Sequence, residues 1–274
     1  MWLHFVNGSW EQTPPPTRGE LFGDGIFESF HIRKGKALFL EDHFRRLRQG
    51  ATVLSLEPPT SWETLFQEIQ RIATSFDSAR GKVVLYRKGE GAYTPLTTEA
   101  GIRASFSPLS STPFPLASPQ RLIRFPVQFL SLTPWSPFKT LSAVGYVQSA
   151  AYAQAQRCGD ALLLSTEGFL SETSRANLFF WDGAVLHTPA LRSGCINGVM
   201  RAQILRQARA LRIPVEEGLY PYEVLLNSQE VFTTNVIQGI TPVLGLHGEK
   251  ASFRTGEDTL AFLIAKTLFS EGRI

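Results

Sequence analysis

Strand-like and helix-like segments alternate along this chain, and only one long stretch, SPLSSTPFPLASPQ from Ser107 to Gln120, follows neither pattern. Proline fixes its own φ and has no amide to give to a ladder, so a proline- and serine-rich run without apolar periodicity is expected as a connector. Before it, WLHFVNGSW reads as two strands about a turn at Asn7 and Gly8. GIFESFHIRKGKALFLEDHFRRLRQGATVL reads as a strand, a turn at Lys34 to Lys36, a short strand, and a helix from about Glu41. A second helix is predicted in SWETLFQEIQRIATSF, with Ser61 and Glu63 as start signals and Leu65, Ile69 and Ile72 on one face; a strand pair follows in GKVVLYRKG and IRASFSPL. After the connector come strands in RLIRFPVQFL, DALLLST, NLFFWDGAVLHTP (a hairpin at Asp182 and Gly183) and EVFTTNVI. Helices are predicted in SAVGYVQSAAYAQAQ, GVMRAQILRQARAL and GEDTLAFLIAKTLF. The expected fold class is α/β, or mixed α+β, in two domains: residues 1–110 and 121–274, joined by 111–120.

Composition narrows the function. With 274 residues, 43% hydrophobic and 19% charged, the chain has enough apolar material for a substantial core. The net charge of +3 is small, and the two basic stretches, HFRRLR from His43 and RAQILRQARALR from Arg201, are read as solvated helix faces. No nucleic-acid partner is expected. Cys158 and Cys195 lack disulfide-framework or metal spacing, and the five histidines form no metal-binding pair, so no metal is expected. MWLHFVNGSWEQ has no basic segment followed by an apolar one, and no run approaches ~18 apolar residues, so no membrane association and a cytoplasmic location are expected.

Four places can carry chemistry. Lys139 is the only lysine between Gly89 and Glu249, and it stands in SPFKTLS where an extended, proline-marked segment meets a predicted helix. Ser142 is a candidate start signal for that helix, and Val144, Val147, Ala151 and Ala155 form an apolar face expected to be buried. Partial desolvation there lowers the lysine pKa and frees the neutral amine for imine formation, although from this segment alone a surface loop lysine is the better reading. Glu172, between ALLLSTEG and NLFF, is a carboxylate in apolar surroundings that needs a partner, either a protonated ring nitrogen or local backbone donors. In GCINGVMRAQILRQ a small-residue turn leads into a helix, leaving the amides of Val199 and Met200 free for an anion. Arg46 follows His43 by three on one helix face, as a phosphate clamp or a solvated pair.

In order and spacing, FGDGIFESFHIRKGKALFLEDHFRRL, PFKTLS, GFLSETSRANLFF, TPALRSGCINGVMR and EVFTTNVIQGITPV resemble the fold-type IV, or class IV aminotransferase, enzymes that use pyridoxal 5'-phosphate. The resemblance implies a smaller N-terminal α/β domain, a larger C-terminal pseudo-barrel domain, a cofactor between them, and a homodimer. It implies that Lys139 is the catalytic lysine that joins the cofactor as an imine and moves the proton. By the same match Glu172 pairs with the pyridine nitrogen, while Arg46 and the amides of Val199 and Met200 hold the phosphate. Asn235, with Val236 beside it, falls in the loop that closes the phosphate cup.

Within that family the motifs lean to 4-amino-4-deoxychorismate lyase, which releases 4-aminobenzoate and pyruvate for folate synthesis. Asn197 precedes the glycine in INGVMR, as in the lyase form, where branched-chain enzymes carry a leucine-like residue. Val144 stands where those enzymes place a tyrosine, and their FEGIR block is here FESFH. The arginine and histidine that D-amino-acid transaminases use for the substrate carboxylate are not recognisable. An aminotransferase of branched-chain or D-amino-acid type is the alternative reading, and a cofactor-binding relative without turnover is a third. Arg87, Tyr93 and Asn197 are the candidates for touching the small amino substrate.

Overall fold

The computed structural model describes residues 2–6, 9–109 and 114–269. Strands β1 (Trp2–Val6) and β2 (Ser9–Thr13) pair antiparallel; the turn expected at Asn7 and Gly8 lies outside the described residues. A short helix α1 (Arg18–Phe22) starts on a capping box in which the Thr17 and Glu20 side chains each accept from the other's backbone amide. Next come β3 (Gly25–Arg33), β4 (Lys36–Ala37), helices α2 (Leu40–Val53) and α3 (Trp62–Ala73), then β5 (Ser78–Arg87) and β6 (Ala100–Pro108). The four strands form an antiparallel sheet in the order β4-β3-β5-β6.

Alternation along β3 decides what this sheet does. Ile26, Phe30 and Ile32 enter a core with Leu47, Leu65 and Ile69 of the two helices, so the intervening Phe27, Ser29 and His31 are presented to the opposite face. Gly81 on β5 is required here, because a Cβ at that position would collide with the Phe30 ring.

The second half consists of β7 (Gln120–Arg124), α4 (Val144–Ala155), β8 (Asp160–Leu164), β9 (Leu170–Thr173), β10 (Asn177–Trp181), β11 (Leu186–Pro189), α5 (Val199–Ala210), β12 (Val215–Gly218), β13 (Glu230–Asn235), β14 (Gly239–Leu246) and α6 (Leu260–Leu268). The strand order is β12-β11-β10-β13-β14-β7-β8-β9, and β9 pairs back onto β10 at Glu172 and Asn177, which closes a barrel. Leu178 and Phe180 of β10 pack with Leu122, Leu162 and Val243, while Phe179 faces the other way, onto α5 and α6. Both faces of this strand are covered, so NLFF is continuously apolar rather than alternating. The mixed fold and barrel-like sheet agree with the sequence reading.

Two expectations need correcting. The helix α4 begins on Ala143 without a side-chain cap; Ser142 instead directs its hydroxyl toward Gly23 O. Its buried positions are Ser149 and Ala153, whereas Val144 and Val147 are 74% and 60% exposed and Ala151 and Ala155 also face outward. Periodicity located an apolar stripe but not the element that covers it. The connector is also partly strapped down: Leu116 bridges Ile240, and Ala117 N donates to Ile240 O at 2.8 Å. Residues 110–113 lie outside the described residues. Among the described residues no helix is long and apolar enough to cross a membrane.

Candidate active site

Lys139 is sewn to the edge of β3. Its carbonyl accepts from Phe27 N at 2.8 Å, and Gly25 O accepts from Leu141 N at 2.9 Å, so the extended segment runs beside the strand. The ammonium consequently lies 5.0 Å from the centroid of the Phe27 ring, inside a cavity of about 450 Å³ between the sheet and the barrel. Burial lowers its pKa to about 8, Arg46 pushes in the same direction, and Glu28 and Glu172 oppose them. Among the described residues no hydrogen bond or ion pair ties it down. A desolvated amine without a protein partner gives up its proton more readily than an exposed one and can supply the free base that imine formation needs.

Glu172 reaches the same cavity from β9. Its Oε1 accepts from Tyr146 Oη at 2.6 Å and Ile196 N at 3.1 Å, and its Oε2 accepts from Asn177 Nδ2 at 3.1 Å. Burial nevertheless dominates and raises its pKa to about 7, against the Tyr146 and Ile196 donors and the cations of Lys139 and Arg46. The carboxylate is thus poised to gain a second positive partner, since a buried charge without sufficient compensation takes up a proton instead.

The anion-facing end is built from both halves. Arg46 on α2 forks onto Glu28 of β3 through Nε and Nη2, at 2.7 and 2.6 Å, and its Nη1 donates to Asn197 O at 2.9 Å. His43 Nδ1 lies 2.7 Å from the same carboxylate. Burial alone would raise the Glu28 carboxyl, but Arg46 and His43 hold it at about 2. Burial also lowers the pKa of His43, and its buried Nε2 has no hydrogen-bond partner. The guanidinium of Arg46 has five N–H groups, so two remain for a ligand. Opposite, α5 begins at Val199 after Gly198, where a Cβ would collide with Asn177 Oδ1. The glycine therefore lets the helix start close over the cavity, and helix starts leave unpaired amides that can bind an anion. Val199, Met200, Asn235 and Val236 all line this end.

The structure thus brings Lys139, Glu172, Arg46, Val199, Met200, Asn235 and Val236 to one cavity. The substrate candidates go elsewhere. Arg87 is buried and occupied, donating to Asp24 Oδ2 and to the carbonyls of Leu54, Ser55 and Thr97. Tyr93 is 89% exposed beside Phe22. The side chain of Asn197 is exposed, and this residue enters the site only through its carbonyl. None of the three lines this chain's cavity. Sequence reading missed Glu28, Tyr146 and Asn177. Glu28 carried the signal used for Glu172, a carboxylate within an apolar strand, whereas Tyr146 and Asn177 carried none.

These blocks coincide with a family. The amino-transferase class IV model matches residues 25–246, and the chain belongs to that family, whose members are pyridoxal-phosphate-dependent enzymes. The chain is 26% identical over 268 residues to an aminodeoxychorismate lyase of Vibrio harveyi, covering 94% of this chain and 97% of that one. A crystal structure of 4-amino-4-deoxychorismate lyase from Pseudomonas aeruginosa matches with a TM-score of 0.83 at 25% identity, covering 96% and 97% of the two chains. A hypothetical aminotransferase from Mycobacterium tuberculosis, in its pyridoxal-phosphate-bound form, matches with a TM-score of 0.78 at 21% identity, covering 96% and 97%.

The residues present fit such a cofactor. A desolvated lysine, a buried carboxyl raised to about 7 and an arginine with spare donors beside a helix start match an aldehyde, a basic ring nitrogen and a phosphate. In the cofactor-free protein, Lys139→Met removes a cation that burial disfavours and is expected to raise stability at pH 7 by about 1–3 kcal/mol. The folded-state pKa of about 8 lies below the ordinary 10.5, so the penalty is complete below pH 8 and fades as pH rises toward 10.5. Urea unfolding of both proteins at pH 7 and pH 10 checks this; an equal difference at the two pH values contradicts a desolvated Lys139.

Proposed function

We propose that this chain is a pyridoxal-phosphate enzyme that converts 4-amino-4-deoxychorismate to 4-aminobenzoate and pyruvate. When bound, the cofactor supplies an aldehyde for imine formation with amines and an electron-withdrawing ring. Lys139 holds it covalently and, once released, takes the proton from the substrate carbon. Glu172 pairs with the ring nitrogen, and Tyr146 and Asn177 keep that carboxylate oriented. Arg46, the amides of Val199 and Met200, and the loop of Asn235 and Val236 hold the phosphate. The observation that supports the cofactor assignment is the convergence of Lys139, Glu172 and Arg46 on one cavity. The choice of a lyase rests on Asn197-Gly198-Val199-Met200 at the helix start and on the Vibrio harveyi and Pseudomonas aeruginosa relatives.

An aminotransferase reading stands second. It is favoured by the D-alanine aminotransferase of Bacillus licheniformis, 23% identical over 242 residues. Purified protein supplied with 4-amino-4-deoxychorismate is expected to release pyruvate and 4-aminobenzoate in equal amounts, and to transfer little amino group from L- or D-amino acids to 2-oxoglutarate. Transamination without pyruvate release reverses the assignment.

The assembly proposed with this function is a homodimer. Its support is the apolar surface on the segments flanking Lys139, where Leu132, Trp135, Val144 and Val147 are each at least half exposed. Sedimentation is expected to give a dimer for the wild type and a monomer for Val144→Glu/Val147→Glu. A monomeric wild type contradicts it.

A further inference from the structure

Ile196 and Asn197 lie between the single turn at Leu191–Ser193 and α5, in neither a helix nor a strand. Their main-chain groups are nevertheless all engaged. Ile196 N donates to Glu172 Oε1 at 3.1 Å, and Ile196 O accepts from Asn177 Nδ2 at 2.8 Å. Asn197 N donates to Pro137 O at 3.0 Å, two residues before Lys139, and Asn197 O accepts from Arg46 Nη1 at 2.9 Å. A segment without a ladder of its own is thus located by β9, β10, α2 and the lysine segment together.

Asn177 has the central place among these ties. Its buried amide nitrogen donates to Ile196 O and, at 3.1 Å, to Glu172 Oε2. Glu172 and Asn177 therefore hold Ile196 by its amide and its carbonyl, and Asn177 holds Glu172 as well. The same side chain lies so close to Gly198 that a Cβ there would collide with Oδ1. The helix begins at the next residue, on Gly198 without a side-chain cap, and Val199 and Met200 line the cavity. With no cap of its own, the helix start takes its position from where residues 196–198 are held.

We propose that Asn177, which touches the ring-nitrogen carboxylate, is a positioning residue for the phosphate end of the pocket. It acts through the Ile196 carbonyl on the start of α5. The inference rests on the cofactor reading proposed above and adds a role that contact with Glu172 alone does not require. Losing the amide frees Ile196 O and lets the approach to α5 shift, whereas Glu172 keeps the Tyr146 hydroxyl and the Ile196 amide. Tyr146 supplies the contrast. Its hydroxyl donates to the same carboxylate at 2.6 Å, and among the described residues it makes no hydrogen bond to residues 196–198.

The test compares two ligands that share a ring, pyridoxal 5'-phosphate and pyridoxal. Each is titrated by calorimetry into the cofactor-free protein as wild type, Asn177→Ala, Asn177→Ser and Tyr146→Phe. The readout is the phosphate increment, the Kd for pyridoxal divided by the Kd for pyridoxal 5'-phosphate, in which a weakening common to both ligands cancels. The increment is expected to fall roughly tenfold in Asn177→Ala, the magnitude of one hydrogen bond to a charged group. A smaller fall is expected in Asn177→Ser, which keeps one donor, and the wild-type value in Tyr146→Phe. An unchanged increment in Asn177→Ala, with both affinities falling together, overturns the inference alone; where that variant does not fold, an unchanged increment in Asn177→Ser does the same. An equal fall in Tyr146→Phe also overturns it, because the effect then runs through the carboxylate. A wild type that binds neither ligand, or both alike, overturns the cofactor reading, and this inference with it.

Discussion

Glu28 holds Arg46 in a fork of two hydrogen bonds, and the anion-facing end of the cavity depends on that pair. Arg46 then reaches across to Asn197 O, at the approach to α5, so one side chain links the N-terminal sheet and helices to the barrel half. Removing two such charges from water costs several kcal/mol, which their attraction offsets only with near-ideal geometry and satisfied neighbours. The second oxygen of Glu28 meets His43 as well as Arg46, so three donors hold the carboxylate. The guanidinium keeps two N–H groups free of protein acceptors, so the pair can mount an anion as well as tie the two halves together.

Two further charged groups of the cavity are held in the opposite condition. Lys139 and Glu172 are each pushed toward neutrality by burial, to about 8 and about 7, because neither has enough compensating charge from the protein. A group that is electrostatically incomplete in the protein becomes complete with a ligand of the right polarity. The barrel closure positions Glu172, since the residue that pairs β9 to β10 is the same residue that faces the cavity. The strand ladder between Lys139 and β3 positions the lysine. Both placements follow from backbone hydrogen bonding, so neither depends on a flexible loop.

In the barrel half β7, β8, β10, β11, β13 and the three helices were legible from their apolar patterns, as in DALLL and VMRAQILRQARA, whereas β9, β12 and β14 were not read as strands. Residues that share the cavity were legible where chemistry and local structure coincide: a glycine before a helix, an arginine three residues after a histidine, a lysine at a strand-to-helix junction. Partners distant in sequence were not. Glu28 and Arg46 are separated by 18 residues and sit on a strand and a helix, so only the folded register brings them together. Arg87 shows the converse: an arginine beside a low-motif loop suggested substrate contact, yet three carbonyls and Asp24 consume its donors. The face of α4 expected to be buried, Val144, Val147, Ala151 and Ala155, is exposed, because small and apolar residues are spread around this helix and their spacing does not single out the side that packs.

Lys139 is the residue expected to be joined to the cofactor. Purified holoenzyme is reduced with borohydride, digested and sequenced by mass spectrometry, which fixes the pyridoxyl group irreversibly to the amine that held it. The expected result is a pyridoxyl label on the peptide containing Pro137-Phe138-Lys139-Thr140 and on no other lysine peptide. A label on Lys82 or any other lysine, or an unlabelled protein, contradicts the account.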